Sequence, residues 1–227
     1  MNIALIMAAG SGSRMQNANG PKQFIRINEK PLLIYSLETF NKVVDAIIIV
    51  TNKDYINCVQ VLCQTYNINK VKDIVIGGAT RQESVINGLK AAKAIDENVV
   101  VLIHDAARPL VSEKIIKDNI ATVNEFGAAV TVIPATDTLH LSSDGEFVSS
   151  SLKRNEIYQA QTPQSFIVKD IFEAHLLAKQ ENFIATDDAS LFNKYNKKPL
   201  HMVMGDKRNF KVTTEEDLLI LKNYLDN

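Results

Sequence analysis

Short apolar segments alternate with amphipathic segments along nearly the whole chain. The apolar segments predict strands over residues 2–8, 46–50, 74–76, 99–103 and 128–133. Segments 46–50 and 99–103 contain no polar residue, which is typical of strands covered on both faces, as in a parallel sheet. The sequence therefore predicts a sheet buried between two layers.

Helical spacing of apolar residues fills the intervals and predicts helices over residues 31–40, 54–66, 82–95, 112–126 and 169–180. Pro31 suits the first turn of a helix, and Thr213 with Glu216 predicts a capping box at the start of the last helix. Because strands and helices alternate, the predicted fold class is α/β. We expect a Rossmann-like, open, mostly parallel twisted sheet with helices on both faces, in one domain over residues 1–227.

Residues 137–158 interrupt this alternation. Short alternating pieces flank Ser143-Asp144-Gly145 and predict a β-hairpin whose turn is set by Asp144 and Gly145. The segment is poor in large apolar residues and cannot be core. We expect a protruding arm that is either mobile or docked on a partner subunit.

Charge and cysteine content restrict the class of partner. The net charge is −1, so no broad basic surface is available for nucleic acid or an anionic membrane. No apolar run approaches the roughly 20 residues of a membrane span, and the first residues do not resemble a signal peptide. Cys58 and Cys63 fit no zinc or redox spacing and predict two buried free thiols. We expect a cytoplasmic protein.

The loop after the first predicted strand carries the main chemical signal. Small residues in Ala8-Ala9-Gly10-Ser11-Gly12 allow backbone N–H groups to approach a phosphate, and Arg14 and Lys22 add two cations nearby. The dinucleotide fingerprint would need glycine where Met15 stands, and the Gly-Lys of a P-loop is missing. The loop therefore indicates a polyphosphate site at the carboxyl edge of the sheet.

Two further segments are predicted at the same edge, and two later segments carry candidate residues. Asp105 can hold magnesium or a ribose hydroxyl, and Arg108 can either pair with it or bind a ligand. His104 is expected to pack or to form local hydrogen bonds, since a phosphate nucleophile is already ionised.

Gly77-Gly78, followed by Ser84, is either a base-reading loop or a simple turn. Thr186 or Asp187 can cap the helix that follows them, and a lone lysine at Lys211 is more often solvated than catalytic.

Eight motifs follow one another in an order that makes the chain resemble one family. They are Ala8-Ala9-Gly10-x-Gly12-x-Arg14-Met15, Pro21-Lys22-Gln23-Phe24, Gly77-Gly78-x-x-Arg81-x-x-Ser84-Val85, His104-Asp105-Ala106-Ala107-Arg108-Pro109, Asp137-Thr138, Gln161-Thr162-Pro163-Gln164, Thr186-Asp187-Asp188-Ala189-Ser190 and Lys211-Val212-Thr213. The chain resembles the 2-C-methyl-D-erythritol 4-phosphate cytidylyltransferases of non-mevalonate isoprenoid biosynthesis. It also resembles the related ribitol-5-phosphate cytidylyltransferases.

The resemblance implies an enzyme that joins CTP and a sugar-alcohol phosphate with Mg²⁺ and releases pyrophosphate. The implied catalytic residues are Arg14, Lys22 and Lys211. The implied nucleotide-binding residues are Ala8, Ala9, Gly10, Gly12, Gly77, Gly78, Ser84 and Asp105, with Asp105 also the metal ligand. The implied substrate-binding residues are Arg108, Thr138, Arg154 and Thr186. In this family the arm crosses to the second subunit of a homodimer, so Thr138 and Arg154 would act in the neighbour's site.

The acceptor alcohol is open between two branches. Ala106-Ala107 and the Thr186-Asp187-Asp188-Ala189-Ser190 segment favour methylerythritol phosphate, whereas Arg154-Asn155-Glu156 and Tyr158-Gln159 resemble the ribitol branch. Methylerythritol phosphate is the favoured acceptor. An NAD-type oxidoreductase and a non-catalytic nucleotide sensor are alternatives of other classes.

Overall fold

The computed structural model describes residues 1–10 and 20–226. In chain order its strands are β1 (Asn2–Ala8), β2 (Arg26–Ile27), β3 (Lys30–Pro31), β4 (Ala46–Thr51), β5 (Val71–Ile76), β6 (Val100–Asp105), β7 (Ala128–Pro134), β8 (His140–Leu141), β9 (Ser150–Ser151), β10 (Tyr158–Ile167) and β11 (His201–Met204). The helices are α1 (Leu32–Val43), α2 (Ile56–Thr65), α3 (Arg81–Ile95), α4 (Glu113–Phe126), α5 (Val168–Gln180), α6 (Asp188–Tyr195) and α7 (Glu215–Asp226). None of these helices is both long and apolar enough to cross a membrane.

Seven strands form one sheet in the order β11-β7-β10-β6-β1-β4-β5. β1 runs parallel to both of its neighbours, β4 and β6, and β5 and β11 are also parallel to their partners. Only β10 is antiparallel to the strands beside it among the seven described. The predicted mostly parallel α/β sheet is confirmed.

The central strands are apolar because both of their faces are covered. Ala4 and Ile6 of β1 join the core cluster that contains α1, α2 and α4. Ile3 and Leu5 of the same strand join the opposite cluster with α3, α5 and α6. Each fully buried side chain of this size contributes about 1.5–3 kcal/mol to folding. The unbroken apolar run in β1 is therefore the pattern of a doubly covered strand.

β10 is the strand that the sequence pattern does not predict. It contains Pro163 and a run of polar residues, which are both unfavourable signals for a central strand. Its polar side chains from Gln161 to Ser165 are nevertheless buried, because tertiary partners satisfy them. Gln164 donates to Asp187 at 2.8 Å, and Ser165 donates to Asn119 at 2.9 Å. These partners come from distant parts of the chain and leave no local periodic signal.

Several local predictions are wrong in detail. Pro31 precedes α1 as its N-cap instead of lying in its first turn. Cys58 is exposed, and only Cys63 is buried. The final capping box uses Thr214 and Asp217: the Thr214 N–H donates to the Asp217 carboxylate at 2.9 Å, and the Asp217 N–H donates to the Thr214 hydroxyl at 3.2 Å. The box lies one residue later than predicted, and Thr213 also donates to the Asp217 carboxylate, from its N–H at 2.7 Å and from its hydroxyl at 2.9 Å.

Residues 137–158, which interrupt the alternation of strands and helices, contain the predicted hairpin. β8 pairs antiparallel with β9, and Asp144 accepts hydrogen bonds from the N–H groups of Glu146 and Phe147 at 2.9 and 3.0 Å. Gly145 has φ 78°, a conformation that glycine adopts without steric cost. Phe147 is 72% exposed, so the hairpin leaves apolar surface uncovered within this chain.

The sheet order determines where a ligand can bind. The chain passes from β1 to β4 and β5 on one side and then returns to β6 on the other side of β1. In an open α/β sheet a crevice forms outside the carboxyl ends of the strands at such a reversal. The carboxyl ends of β1, β4, β5 and β6 meet at this edge.

Candidate active site

A cavity of about 510 Å³ opens at this edge. It is lined by Met7, Ala9, Gly10, Lys22, Gln23, Asn52, Gly78, Ala79, Thr80, Arg81, Ser84, Asp105, Ala106, Ala107, Lys211 and Thr213. Three of these residues are cationic and one is a carboxylate. The N-terminus of α3, capped by Thr80, also faces the cavity, and the partial positive charge of a helix N-terminus favours an anion. The cavity is therefore suited to a polyanionic ligand.

Asp105, at the end of β6, forms the centre of the charged group. Its Oδ2 accepts from the Lys211 Nζ at 2.6 Å, and its Oδ1 lies 3.9 Å from the Arg81 Nη2. Burial would raise the pKa of Asp105, but Lys211 and then Arg81 outweigh burial, and the net pKa is lowered. Asp105 is therefore ionised at neutral pH.

Lys22 and Lys211 approach the cavity from positions 189 residues apart in the chain. The Lys22 Nζ donates to the Val212 carbonyl at 2.7 Å, and the Val212 N–H donates to the Ala107 carbonyl at 2.8 Å. The Lys211 segment is thus fastened to the loop after β6. The structure brings Lys22, Lys211 and Asp105 to one cavity, as the resemblance to the family implied for Lys211.

Gly77 and Gly78 form a tight turn between β5 and α3. A Cβ at Gly77 would lie 2.6 Å from the Ala9 Cβ, and a Cβ at Gly78 would lie 2.3 Å from the Glu83 Cβ. Only glycine therefore fits at either position. The Ser84 hydroxyl accepts from the Gly78 N–H at 2.9 Å and donates to the Thr80 carbonyl at 2.9 Å, so this serine shapes the wall of the cavity.

Gln23 holds the beginning of the glycine loop. Its side-chain amide is buried and donates to the Ala8 carbonyl at 2.5 Å and to the Gly10 carbonyl at 3.2 Å. Ala8 itself is buried, while Ala9 and Gly10 line the cavity. The predicted site residues Gly12 and Arg14 lie outside the described residues.

His104 stabilises the backbone at Asp105. The His104 Nε2 lies 3.1 Å from the Arg108 carbonyl, which can only accept, and so carries a proton. Burial lowers the pKa of His104 to about 4. In the neutral ring Nδ1 then accepts from the Thr162 hydroxyl at 3.0 Å, and that hydroxyl accepts from the Asp105 N–H at 3.1 Å. The local hydrogen-bonding role predicted for His104 is confirmed.

The four predicted substrate-binding residues do not line the cavity. Arg108 donates to the Asn209 carbonyl at 2.8 Å rather than forming an ion pair with Asp105. Arg154 donates to the Thr136 carbonyl at 3.3 Å within the hairpin, and Thr138 is exposed in the same segment. Thr186 is exposed before α6. The helix N-cap there is Asp187, whose side chain accepts from the Ser190 N–H at 2.8 Å.

Five polar or charged residues line the cavity without having been given a role from the sequence: Gln23, Asn52, Thr80, Arg81 and Thr213. The sequence does contain a signal that places Arg81 near the site. It lies between a glycine pair and the helix predicted to begin at residue 82, after a predicted strand, so its side chain starts at the carboxyl edge of the sheet. Gln23, Asn52 and Thr213 had no comparable signal, since each contributes through its place in the tertiary structure.

Asp105 is the one carboxylate among the described residues that line the cavity. Within residues 1–10 and 20–226 no three His, Cys, Asp or Glu side chains cluster as a metal site. Mg²⁺ is commonly held by one or two carboxylates together with substrate phosphates and water. Asp105 fits that pattern, because Oδ1 is beyond hydrogen-bond distance of Arg81 at 3.9 Å.

A larger cavity, of about 700 Å³, lies between α2 and β5. Its lining has Lys72 and Asp73 as its charged residues and is otherwise neutral. It does not adjoin the glycine turns or the cations, so the chemistry of a polyphosphate is assigned to the smaller cavity.

Known proteins resemble this chain in sequence and in fold over nearly its whole length. A family model described as 2-C-methyl-D-erythritol 4-phosphate cytidylyltransferase matches residues 2–227. A Clostridium acetobutylicum protein of that name is 42% identical over 99% of this chain and 97% of its own length. A Vibrio parahaemolyticus ribitol-5-phosphate cytidylyltransferase is 40% identical over 100% of this chain and 96% of its own.

A solved structure agrees. The crystal structure of 4-diphosphocytidyl-2C-methyl-D-erythritol synthase from Anaerococcus prevotii superimposes with a TM-score of 0.87 at 29% identity, covering 100% of this chain and 96% of that one. The sheet and its cation-lined cavity are those of a nucleotidyltransferase, and the chain is a CTP-dependent cytidylyltransferase. It belongs to the 2-C-methyl-D-erythritol 4-phosphate cytidylyltransferase family.

Proposed function

We propose that this chain transfers the cytidylyl group of CTP to 2-C-methyl-D-erythritol 4-phosphate, giving 4-diphosphocytidyl-2-C-methyl-D-erythritol and pyrophosphate. The observation that carries the proposal is the cavity at the carboxyl edge, which Lys22, Arg81, Lys211 and Asp105 line together. Charge-assisted hydrogen bonds from several cations suit a triphosphate. The family membership supports the same activity.

The proposed reaction is a direct displacement. An oxygen of the acceptor's phosphate bonds to the α-phosphorus of CTP. The bond from that phosphorus to the bridging oxygen breaks, and pyrophosphate leaves with its electron pair. The acceptor phosphate is already ionised, so no general base is required. Lys22 and Lys211 oppose the negative charge that develops on the α-phosphate, and Arg14 is proposed to assist them.

The nucleotide is proposed to bind along the glycine turns. The loop from Ala8 to Gly10, with Gly12, would follow the phosphates, while Gly77, Gly78 and Ser84 would contact cytosine. The close packing around Gly77 and Gly78 supports this. Because neither residue has a side chain, their backbone groups lie at the wall of the cavity. Thr186 and Arg108 are proposed to hold the acceptor.

Mg²⁺ is the proposed cofactor, and Asp105 is the residue that would hold it. When bound, the ion would neutralise charge on the phosphates. The residues around Asp105 support this assignment: the pKa of its carboxyl is lowered by Lys211 and Arg81 against the effect of burial, so an ionised oxygen is available at the cavity wall.

Methylerythritol phosphate is proposed as the acceptor because the family model and the A. prevotii structure carry that name. Ribitol 5-phosphate is the second candidate, since the V. parahaemolyticus relative is 40% identical. We expect kcat/KM to be at least about tenfold higher for methylerythritol phosphate, a difference of about 1.4 kcal/mol in transition-state binding.

The test is pyrophosphate release with Mg²⁺, CTP and each acceptor in parallel. A preference for ribitol 5-phosphate would reverse the choice of acceptor and leave cytidylyl transfer intact. CTP binding without pyrophosphate release from either acceptor would indicate a nucleotide sensor and overturn the proposed function.

The hairpin is proposed to dock on a second copy of the chain and complete its site. Its apolar side chains are uncovered, with Phe147 72% and Leu141 54% exposed. Arg154 and Thr138 belong to this segment and do not line the cavity of their own subunit. A homodimer in which each arm reaches the neighbouring cavity would bring them to the acceptor.

Mixing two weakened variants tests this arrangement. Lys22→Ala impairs the cavity and Arg154→Ala impairs the arm, so each pure dimer has low activity. After subunit exchange, half of the dimers are mixed, and each mixed dimer has one intact site, which restores about a quarter of wild-type activity. Activity and elution volume are measured before and after exchange. A mixture no more active than its components, or a wild-type chain that elutes as a monomer, contradicts the shared site.

The cytoplasmic location is kept as part of the proposal. Both cysteines are free thiols in the structure, as is usual in a reducing compartment.

A further inference from the structure

A line of charged side chains runs from the interior of the protein to the cavity. The Arg81 Nη2 donates to the Asp188 Oδ2 at 2.7 Å and lies 3.9 Å from the Asp105 Oδ1. On its inner side, the other oxygen of Asp188 accepts from the His175 Nε2 at 3.1 Å. Asp105 in turn binds Lys211 at 2.6 Å.

The inner half of this line is deeply buried. The side chains of Asp188 and His175 are each 1% exposed, whereas Arg81 is 37% exposed and lines the cavity. Both carboxylate oxygens of Asp188 are occupied, one by Arg81 and one by His175, so the orientation of the carboxylate is set from two directions. Asp188 is also the first residue of α6, where the helix dipole favours a negative charge.

Stability alone is a weak reason for such an arrangement. A buried ion pair is often no more stabilising than apolar residues of the same size, because both charges lose their water. Here one end of the pair faces the cavity. The guanidinium has five N–H donors, and the Nη2 that is attached to Asp188 is also the atom that lies 3.9 Å from the Asp105 Oδ1.

We propose that Asp188 is a positioning residue of the active site, which holds Arg81 against Asp105 and is itself held by His175. The proposal rests on the proposed function, since it assigns to Arg81 a part in shaping the CTP phosphate site. Asp188 does not line the cavity. It acts through Arg81, and Arg81 sets the place and charge of the Asp105–Lys211 pair. The pKa shifts agree: Asp188 is the largest cause of the raised pKa of Arg81.

A double-mutant cycle tests this pathway on the full-length chain. The variants are Asp188→Asn, Arg81→Gln and the double variant, with kcat/KM for CTP and the Kd for CTP measured for each. Asp188→Asn alone is expected to lower kcat/KM about 10–100-fold, the usual cost of losing a residue that orients a site. In the Arg81→Gln background the same change is expected to cost less than about threefold, because its target is already gone.

A matched control separates positioning from folding. Asp170 is also a buried carboxylate, paired with Lys198 at 2.5 Å, but it lies outside the cavity lining. Asp170→Asn is expected to lower Tm to a similar degree and to change kcat/KM by less than about twofold. His175→Gln, which can still donate to Asp188, is expected to keep more activity than His175→Phe, which cannot.

The outcomes distinguish this proposal from the proposed function. Additive effects of Asp188→Asn and Arg81→Gln, with an active wild-type chain, overturn the positioning role alone. Equal losses of kcat/KM in Asp188→Asn and Asp170→Asn at equal Tm also overturn it. A wild-type chain that neither binds CTP nor releases pyrophosphate overturns both proposals.

Discussion

Replacing Lys22 with alanine is expected to lower kcat by about two to three orders of magnitude, because one preorganised charged donor contributes about 2.7–4 kcal/mol to a transition state in a site of this kind. Lys22 reaches the cavity beside Val212, next to Lys211. Both cations therefore approach the same part of a bound triphosphate. The loss is expected mainly in kcat, since the charge on the α-phosphate grows as the new bond forms.

The measurement is steady-state pyrophosphate release at saturating CTP and acceptor. Lys53→Ala is the control, because Lys53 is an exposed lysine after β4 that does not line the cavity, and it should leave kcat unchanged. Lys22→Arg is expected to be intermediate, since the charge is kept but the geometry differs. A Lys22→Ala variant with near wild-type kcat would remove this lysine from the catalytic group.

Asp105→Asn is the second change with a large expected effect. The substitution keeps the size of the side chain and can still accept from Lys211, but it removes the charge that offsets Lys211 and Arg81. As the single carboxylate among the described cavity residues, Asp105 is the proposed magnesium ligand. We expect kcat/KM to fall about 10²–10³-fold, and the Mg²⁺ concentration for half-maximal rate to rise.

The measurement is the rate of pyrophosphate release as a function of Mg²⁺ concentration. Wild type and Asp105→Asn are compared at equal CTP concentration. Asp170→Asn again provides the control, because it also neutralises a buried carboxylate outside the cavity. If Asp105→Asn has an unchanged magnesium requirement, the metal is held elsewhere. An unchanged kcat/KM would show that the carboxylate has no part in the reaction.

Prediction of the fold succeeded where local pattern and burial coincide. β1 has the predicted bounds because every residue from Ile3 to Ala8 is apolar and both faces of the strand are covered. Prediction failed for β10, whose polar residues are buried only because Asp187 and Asn119 supply hydrogen bonds from elsewhere. It also failed for β11, a four-residue edge strand with exposed methionines.

Prediction of the candidate site also succeeded for some residues and failed for others. Lys22, Asp105 and Lys211 were singled out from the sequence, and the structure brings all three to one cavity. The part that involves Asp188 and His175 was not predicted, because a buried aspartate at the start of a helix looks like an ordinary capping residue. Its role is visible only from the 2.7 Å contact with Arg81 across 107 residues of chain.

The sequence by itself determined the α/β class, the doubly covered central strands and the glycine turn at Gly77 and Gly78. These features depend on local properties, namely periodicity, steric size and the chemical type of neighbouring residues. Only the tertiary structure decided which polar groups are buried and paired, where β10 inserts, and how Arg81 is held beside Asp105. Those outcomes depend on contacts between distant segments. The contacts form when the strands and helices assemble, and no local pattern encodes them.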